Sequence, residues 1–405
     1  MTQGKAILVI DLGNSSTKGR VLYGKKDGKY REKSFEIPNT FGPILDDEIE
    51  PTDNYDSETS TVFKIKTEGL ENVQGFTTEV VGTYANGEYQ TNEYSSSIMR
   101  PVTLSKKAVQ PVVVLSCYMA IWNGYKAVAK LAGVGVDDVY VDWTIVALLP
   151  PQDIKSYSGN LEKMLRSIKT IDTIFPECKK EVNIDKIKIL PEGYCAFVGT
   201  VFENGMEIRP EYKSLLSKNV LVLDVGEGTT DFVIMAKNKL QNSTLKTVMF
   251  GGKNVRSRLK ALVGVDVPDE AYKNALLTGE LPVGEGMQDI CEEINNAKKY
   301  IASKIYTNLS EHLEGSGIQP DSIYGILIVG GGVLEGDNPN IKPLSEYIME
   351  QFKQFFPAAK LIELPKHTVT KIVDDEPVKV EETISPRMLN IMGASVLAEA
   401  IAKSN

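Results

Sequence analysis

One short pattern occurs twice in this chain. Residues 7–23 read ILVIDLGNSSTKGRVLY and residues 220–235 read VLVLDVGEGTTDFVIM. In each copy an aliphatic run of strand length ends in Asp-x-Gly. It then passes through small residues to a Thr and resumes as a β-favouring run. This predicts a strand, a tight turn and a returning strand. Repetition half a chain apart constrains the fold more than any compositional feature, because the two halves then share one plan.

The turn residues define a chemistry. Gly13, Gly226 and Gly228 allow positive φ and close approach of backbone to a ligand. Successive N–H groups in such a turn face one concavity, and the hydroxyls of Ser15, Ser16, Thr17, Thr229 and Thr230 add donors, which suits a phosphate. An acid at the lip repels phosphate unless a cation lies between, so Asp11 and Asp224 point to Mg2+ held largely through its own waters. Either copy alone also reads as a plain β-hairpin; two matching copies favour the anion site. Other phosphate grips are missing: GxxxxGK[ST] does not occur, and Gly330, Gly331 and Gly332 do not continue into GxGxxG.

At 405 residues the chain exceeds one ordinary core. Its 42% hydrophobic and 24% charged residues are those of a globular protein. A net charge of -9 argues against direct contact with nucleic-acid backbones. Cys117, Cys178, Cys195 and Cys291 form no CxxC pair, and His312 and His367 are the only histidines, which disfavours a zinc site or a His-dependent triad. No leader pattern opens the chain, and no uninterrupted apolar stretch approaches the roughly 18–20 residues of a membrane span. A reduced, cytoplasmic protein with no membrane partner is expected.

The duplicated Asp-x-Gly-x-[Gly/Ser]-[Ser/Thr]-Thr turn resembles the two phosphate motifs of the actin-like ATPase superfamily, which includes actin, MreB, ParM-type plasmid-segregation actins, chaperone ATPases and sugar kinases. Residues 326–333 (ILIVGGGV) resemble its adenosine motif. Residues 190–199 (LPEGYCAFVG) resemble its first connecting motif, and residues 388–400, with IMGAS at 391–395, its second. Five motifs in order imply an α/β, actin-like (ribonuclease H-like) duplicated two-domain fold, with a nucleotide cleft between the domains and a smaller subdomain inserted in each.

The resemblance implies ATP, or GTP, with Mg2+. Asp11 and Asp224 would hold the hydrated metal through water, and Lys18 would contact the β- and γ-phosphates. Gly13, Asn14, Ser15, Ser16, Thr17, Gly226, Glu227, Gly228, Thr229 and Thr230 would form the phosphate turns. Glu192 stands where the superfamily places the group that positions the attacking water, making Glu192, Asp224 and Asp11 the catalytic set. Asp231 is a further candidate for ordering the site. Gly251, Gly252, Gly330, Gly331 and Gly332 would face the nucleotide, with Glu293 and Lys298 as candidate base contacts. Plainer readings stand beside these. Lys18 also suits a solvated strand, Glu192 the dipole of a helix start, Gly251 and Gly252 a loop, and Glu293 and Lys298 an amphipathic helix surface.

Along the chain, domain I covers residues 1–205, with strands at 5–12, 17–24 and 30–37. Its polar tract at 38–104 reads as the inserted subdomain. Helices follow at 105–132, ended by Gly133, and at 161–171, around a strand at 139–149. Domain II covers residues 206–386, with a helical insert at about 265–315, a helix at 289–308, a strand at 323–329 and a helix at 341–356. Two runs at 368–373 and 378–382 read as a hairpin whose tip is Asp374, Asp375 and Glu376. Residues 387–405 form a helix crossing back to domain I.

No substrate-binding domain, sugar-facing acid or terminal amphipathic helix is evident, so the nearest resemblance is to the ParM-type actins. It implies a filament-forming ATPase that assembles head to tail with ATP and disassembles after hydrolysis. Such a protein moves plasmid or phage DNA through a DNA-binding adaptor protein. A small-molecule kinase or a nucleotide-switched scaffold of the same fold are the alternatives.

Overall fold

A computed structural model describes residues 2–44, 60–87, 98–101, 106–203, 205–315, 317–333, 336, 338–373 and 376–403. The chain divides into two compact units, Met1–Pro191 with Asn204–Glu207 and Ala394–Asn405, and Glu192–Glu203 with Ile208–Gly393.

The first unit is built on the antiparallel meander β1 (Thr2–Leu12), β2 (Ser16–Lys26) and β3 (Lys29–Pro38). Two more strands, β7 (Val139–Leu149) and β10 (Asn183–Pro191), run parallel to β1 and complete the order β10-β7-β1-β2-β3. The side chains alternate as a two-residue period requires: Ala6, Leu8, Ile10 and Leu12 enter a core formed with α1 (Pro111–Ala132). That helix begins at Pro111 rather than at 105, because Pro suits a first helical position and Gln110 is still extended. Gly133 ends it in a left-handed conformation, φ 72°. By length and composition α1 is apolar enough to cross a membrane, although polar residues interrupt it; 89% of its most apolar window is buried within the fold.

The polar tract after β3 is folded where described. Its strands β4 (Phe41–Ile44), β5 (Thr61–Lys66) and β6 (Val81–Asn86) join β8 (Thr170–Phe175) and β9 (Cys178–Glu181) in a sheet ordered β4-β6-β5-β8-β9. The helix expected at 161–171 is α2 (Ile154–Ser167). It stops short because residues 170–175, rich in Thr and Ile, pair as β8 instead.

The second unit repeats the plan. Its meander starts with β11 (Asn219–Val225) and β12 (Thr230–Ala236), flanked by β13 (Lys239–Leu240) and β14 (Lys246–Val248). Parallel to β11 run β17 (Ile323–Val329) and, beyond it, β18 (Lys360–Leu361). Both sheet faces are covered: Leu221, Leu223, Phe232, Ile326 and Ile328 enter one core, and Val220, Val222, Val233, Met235 and Leu327 enter the other.

Helix α4 (Gly252–Val263) follows the meander. Then α5 (Asp269–Thr278) leads to a hairpin of β15 (Glu280–Val283) and β16 (Gly286–Asp289), which a wholly helical insert had not anticipated. Helix α6 (Cys291–Gly315) starts where Asp289 Oδ1 accepts from the Cys291 N–H at 2.9 Å. The expected helix at 341–356 is the shorter α7 (Leu344–Phe352). Strands β19 (Lys366–Val373) and β20 (Glu376–Thr383) pair as the anticipated hairpin; Asp374 and Asp375 at its tip lie outside the described residues. The unit also holds α3 (Tyr194–Val201) and, as far as Gly393, the start of α8 (Leu389–Lys403).

Candidate functional site

The two sequence copies fold into hairpins of the same register. In the first, Asp11 faces Lys18 and Leu12 faces Thr17; in the second, Asp224 faces Asp231 and Val225 faces Thr230. Each leaves a four-residue turn, at 13–16 and at 226–229, and each acid ends a buried strand.

In the first unit the turn is braced from beneath by Asn39. Asn39 Nδ2 donates to the Gly13 carbonyl at 2.7 Å, and its backbone N–H donates to the Ser15 carbonyl at 3.0 Å. Its Oδ1 accepts from Thr17 Oγ1 at 2.7 Å and from Ser116 Oγ at 3.1 Å. Asn39 and Thr17 are fully buried, so Thr17 supports the turn from inside. Gly13 is required: a Cβ there would stand 2.4 Å from the Ser16 carbonyl oxygen. Ser16 Oγ donates to Glu36, Asn14 is half-buried, and Ser15 is exposed. Lys18 Nζ donates to Asp11 Oδ2 at 3.0 Å, with both side chains largely buried, so Lys18 is not a solvated strand lysine. A second cation, Lys107, donates from Nζ to the Leu12 carbonyl at 2.5 Å.

The second unit gathers more of the candidate residues. The Gly226 N–H donates to the Thr229 carbonyl at 2.8 Å, closing the turn. The chain entering α4 then docks on it: the Gly252 N–H donates to the Gly226 carbonyl at 3.0 Å and the Lys253 N–H to the Glu227 carbonyl at 2.7 Å. Thr230 Oγ1 donates to the Phe250 carbonyl at 2.8 Å from a fully buried position, matching Thr17. A third loop, at 330–332, closes on the same turn. A Cβ at Gly330 would lie 2.3 Å from the Val225 carbonyl oxygen, and one at Gly251 2.4 Å from that of Gly226. Three glycine-bearing loops therefore meet backbone to backbone, which no side chain would permit. Gly331 lies at the outer side of this cluster, where an added Cβ would be in ordinary contact with the Arg387 side chain. Glu227 pairs with Arg256, which also reaches Asp269 at 3.4 Å, and Asp231 accepts from Thr247 Oγ1. Glu227 thus faces a protein cation, and Asp231 ties neighbouring strands together.

Asp224 and Glu192 are 6% and 8% exposed. Asn390, in the first turn of α8, joins their two segments: its Nδ2 donates to Asp224 Oδ2, and its Oδ1 accepts from the Gly193 N–H at 2.9 Å. Glu293 is half-buried on α6. Lys298 is buried, its Nζ donating to the Lys342 carbonyl at 3.2 Å, which makes it a brace between α6 and the segment before α7.

Helices α3 and α8 cross at glycines from the two connecting motifs. A Cβ at Gly199 would stand 2.5 Å from the Leu389 carbonyl oxygen, and one at Gly393 1.8 Å from that of Cys195.

Sequence reasoning missed Asn39 and Asn390. The available signals were positional: Asn39 directly follows the third meander strand, and Asn390 directly precedes IMGAS at 391–395.

Asp11 and Asp224, 5% and 6% exposed near the end of their own hairpin strands, carry carboxylate oxygens, the donor type that suits a hard cation.

Residues 222–337 match the profile of a family described as archaeal actin homologue MreB-like, C-terminal. No curated protein matches the chain by sequence. Among solved structures, the chain is similar to an archaeal actin homologue in complex with ADP, at 16% identity and a TM-score of 0.58, covering 98% of this chain and 100% of that one. The actin-like protein Alp7A is 14% identical with a TM-score of 0.64, over 99% and 97% of the two chains. The ParM of a 15-stranded filament from Clostridium botulinum is 16% identical with a TM-score of 0.58, over 98% and 99%.

Proposed function

From the actin-like fold that this chain has along its length, we propose that it is a filament-forming nucleoside triphosphatase that uses ATP or GTP with Mg2+. The observation that carries this reading is the pair of Asp-ended hairpins in identical register, one of them locked by two further glycine loops. Support also comes from the relatives, one solved with ADP and another as a filament.

In this reading the backbone N–H groups of the turns at 13–16 and 226–229, apart from those of Gly13 and Gly226 that bond within their own hairpins, cradle phosphate oxygens, with Ser15 and Thr229 as additional donors and Ser16 joining them by releasing Glu36. Lys18 exchanges part of its pairing with Asp11 for the β- and γ-phosphates. Asp11 and Asp224 are the carboxylates that would hold Mg2+ through its waters, and the ion would supply charge neutralisation on the phosphates. Glu192 orients the attacking water; its oxygen forms the new bond to the γ-phosphorus as the β,γ-bridging bond breaks. The water's proton passes to Glu192 or to phosphate oxygen. Phosphoryl transfer needs mainly positioning and charge, so one water-orienting carboxylate suffices.

Assembly is head to tail, a heterologous contact that extends without closing. The triphosphate state favours the contact, and loss of the γ-phosphate removes that preference. The acidic chain then moves a plasmid or phage DNA through a DNA-binding adaptor protein.

The test is light scattering and pelleting with Mg-ATP, Mg-GTP, Mg-ADP and ATP plus chelator, run beside phosphate release. Scattering that rises with a Mg-triphosphate and decays as phosphate appears is the expected result. Phosphate release without assembly overturns the filament part and leaves a kinase or other nucleotide enzyme of this fold. Assembly without phosphate release leaves a nucleotide-switched scaffold.

A further inference from the structure

The second unit holds a link that the proposed chemistry does not itself require. Asn390 is 6% exposed and uses both ends of its amide. An ionised carboxylate only accepts and a backbone N–H only donates, so the two bonds fix the amide orientation: NH2 toward Asp224, oxygen toward Gly193.

Neither partner is free to drift. Gly193 has φ +72°, and an added Cβ would stand 2.8 Å from Val233 Cγ2, so the Glu192–Gly193 turn is seated on β12, the strand that returns from the 226–229 turn. The Tyr194 N–H, donating to the Glu192 carbonyl at 2.8 Å, tightens that turn. On the other side, Asp224 Oδ1 lies beneath Gly330, where a Cβ would come within 2.4 Å of it. One carboxylate oxygen is thus given to Asn390 and the other faces the glycine loop.

We propose that Asn390 is a positioning residue: its single amide sets the orientation of the Asp224 carboxylate and the height of the Glu192 turn together, so that the metal-directed and water-directed groups keep one spacing. The chemical consequence rests on the function proposed above; the mechanical link does not. Leucine fills the space of asparagine but removes both hydrogen bonds of the amide, the one to the Gly193 N–H and the one to the Asp224 carboxylate. Serine is too short to reach either.

The experiment uses the full chain with Asn390→Leu and Asn390→Ser. In the nucleotide-free protein, amide hydrogen exchange is followed at Gly193. Exchange at least about tenfold faster in both variants is expected, with β11 and β17 amides unchanged. The Mg2+ concentration for half-maximal binding of a fluorescent ADP analogue is then titrated. It should rise on the order of tenfold, the usual effect of losing a group that orients a metal-directed ligand, while binding in chelator stays at the wild-type level. In phosphate release kcat should fall with KM for the triphosphate changed less than about twofold. Wild-type Gly193 exchange in either folded variant overturns the link. Faster exchange with an unaltered Mg2+ titration overturns the positioning role and leaves a structural one. If the wild-type chain binds no nucleotide, the function proposed above fails, while the Gly193 exchange still decides the link.

Discussion

The carbonyl oxygen of Gly226 occupies the place that a Cβ on Gly332 would need: the two would be 2.5 Å apart. The turn at 226–229 and the glycine loop after β17 are therefore held at backbone contact distance, without side chains between them. Gly330 adds a conformational demand, with φ +100°, where an L side chain is strained whatever the space.

Gly332→Ala and Gly330→Ala should each force these loops apart. The expected stability loss is about 1–3 kcal/mol in denaturant unfolding, as for other overpacked or strained backbone sites. Affinity for a fluorescent nucleotide should fall more than stability does. Gly264→Ala is the control: Gly264 is left-handed at the end of α4 with nothing within 4 Å of an added Cβ. It should cost about 1 kcal/mol and leave nucleotide binding unchanged.

Gly393→Ala should be among the most damaging single methyl additions to the second unit. A Cβ 1.8 Å from the Cys195 carbonyl oxygen has no flexible partner to displace, so α3 and α8 must separate. Thermal unfolding followed by circular dichroism should show loss of a stable fold or a drop of several degrees in Tm, on the order of 2–4 °C per kcal/mol for a large domain. Wild-type Tm would refute the close crossing.

Removing single charged groups should separate binding from hydrolysis. Glu192→Gln should keep nucleotide affinity and lower phosphate release on the order of 10²-fold, the usual loss for one preorganised transition-state contact. Asp224→Asn should lose release and raise the Mg2+ requirement together. Lys18→Ala leaves Asp11 without its 3.0 Å partner and should weaken triphosphate binding more than diphosphate binding. Equal losses in Glu192→Gln and Lys18→Ala for binding and turnover would contradict the assigned roles.

Alkaline pH should destabilise the first unit. Burial pushes the Cys117 thiol from 9.0 up to about 12, and burial likewise raises Cys178 and the Tyr125 hydroxyl to about 12. Tyr118 is raised in the same direction, again by burial first. In the unfolded chain these groups ionise near their ordinary values, whereas the folded unit keeps them protonated. Their contribution is therefore complete below about pH 9 and is lost as pH rises toward 12. Cys117 alone accounts for roughly 3 kcal/mol by pH 11. Urea midpoints should be level between pH 7 and 8.5 and fall steeply above pH 9.5; Cys117→Ala should flatten that fall.

Much of the framework is readable locally. The strands at 139–149 and 323–329 and both Asp-ended hairpins follow from aliphatic runs and turn residues that act over a few positions, so the sequence of those segments determines them. The start of α1 and the end of α2 were misplaced because apolar spacing continues past the points where Pro111 and the Thr and Ile residues of β8 impose other geometry.

The sequence by itself determined that two matching hairpins, each with an acid near the end of its first strand, would form, since strand-forming runs and turn residues act over a few positions. Only the tertiary structure decided what holds them. Asn39 supports residues 22 to 26 positions earlier, and Asn390 joins residues 166 and 197 positions away. An asparagine carries no local pattern that distinguishes a surface loop from a buried bridge. Its role is set by which donor and acceptor the packed sheets and helices bring within 3 Å of its amide.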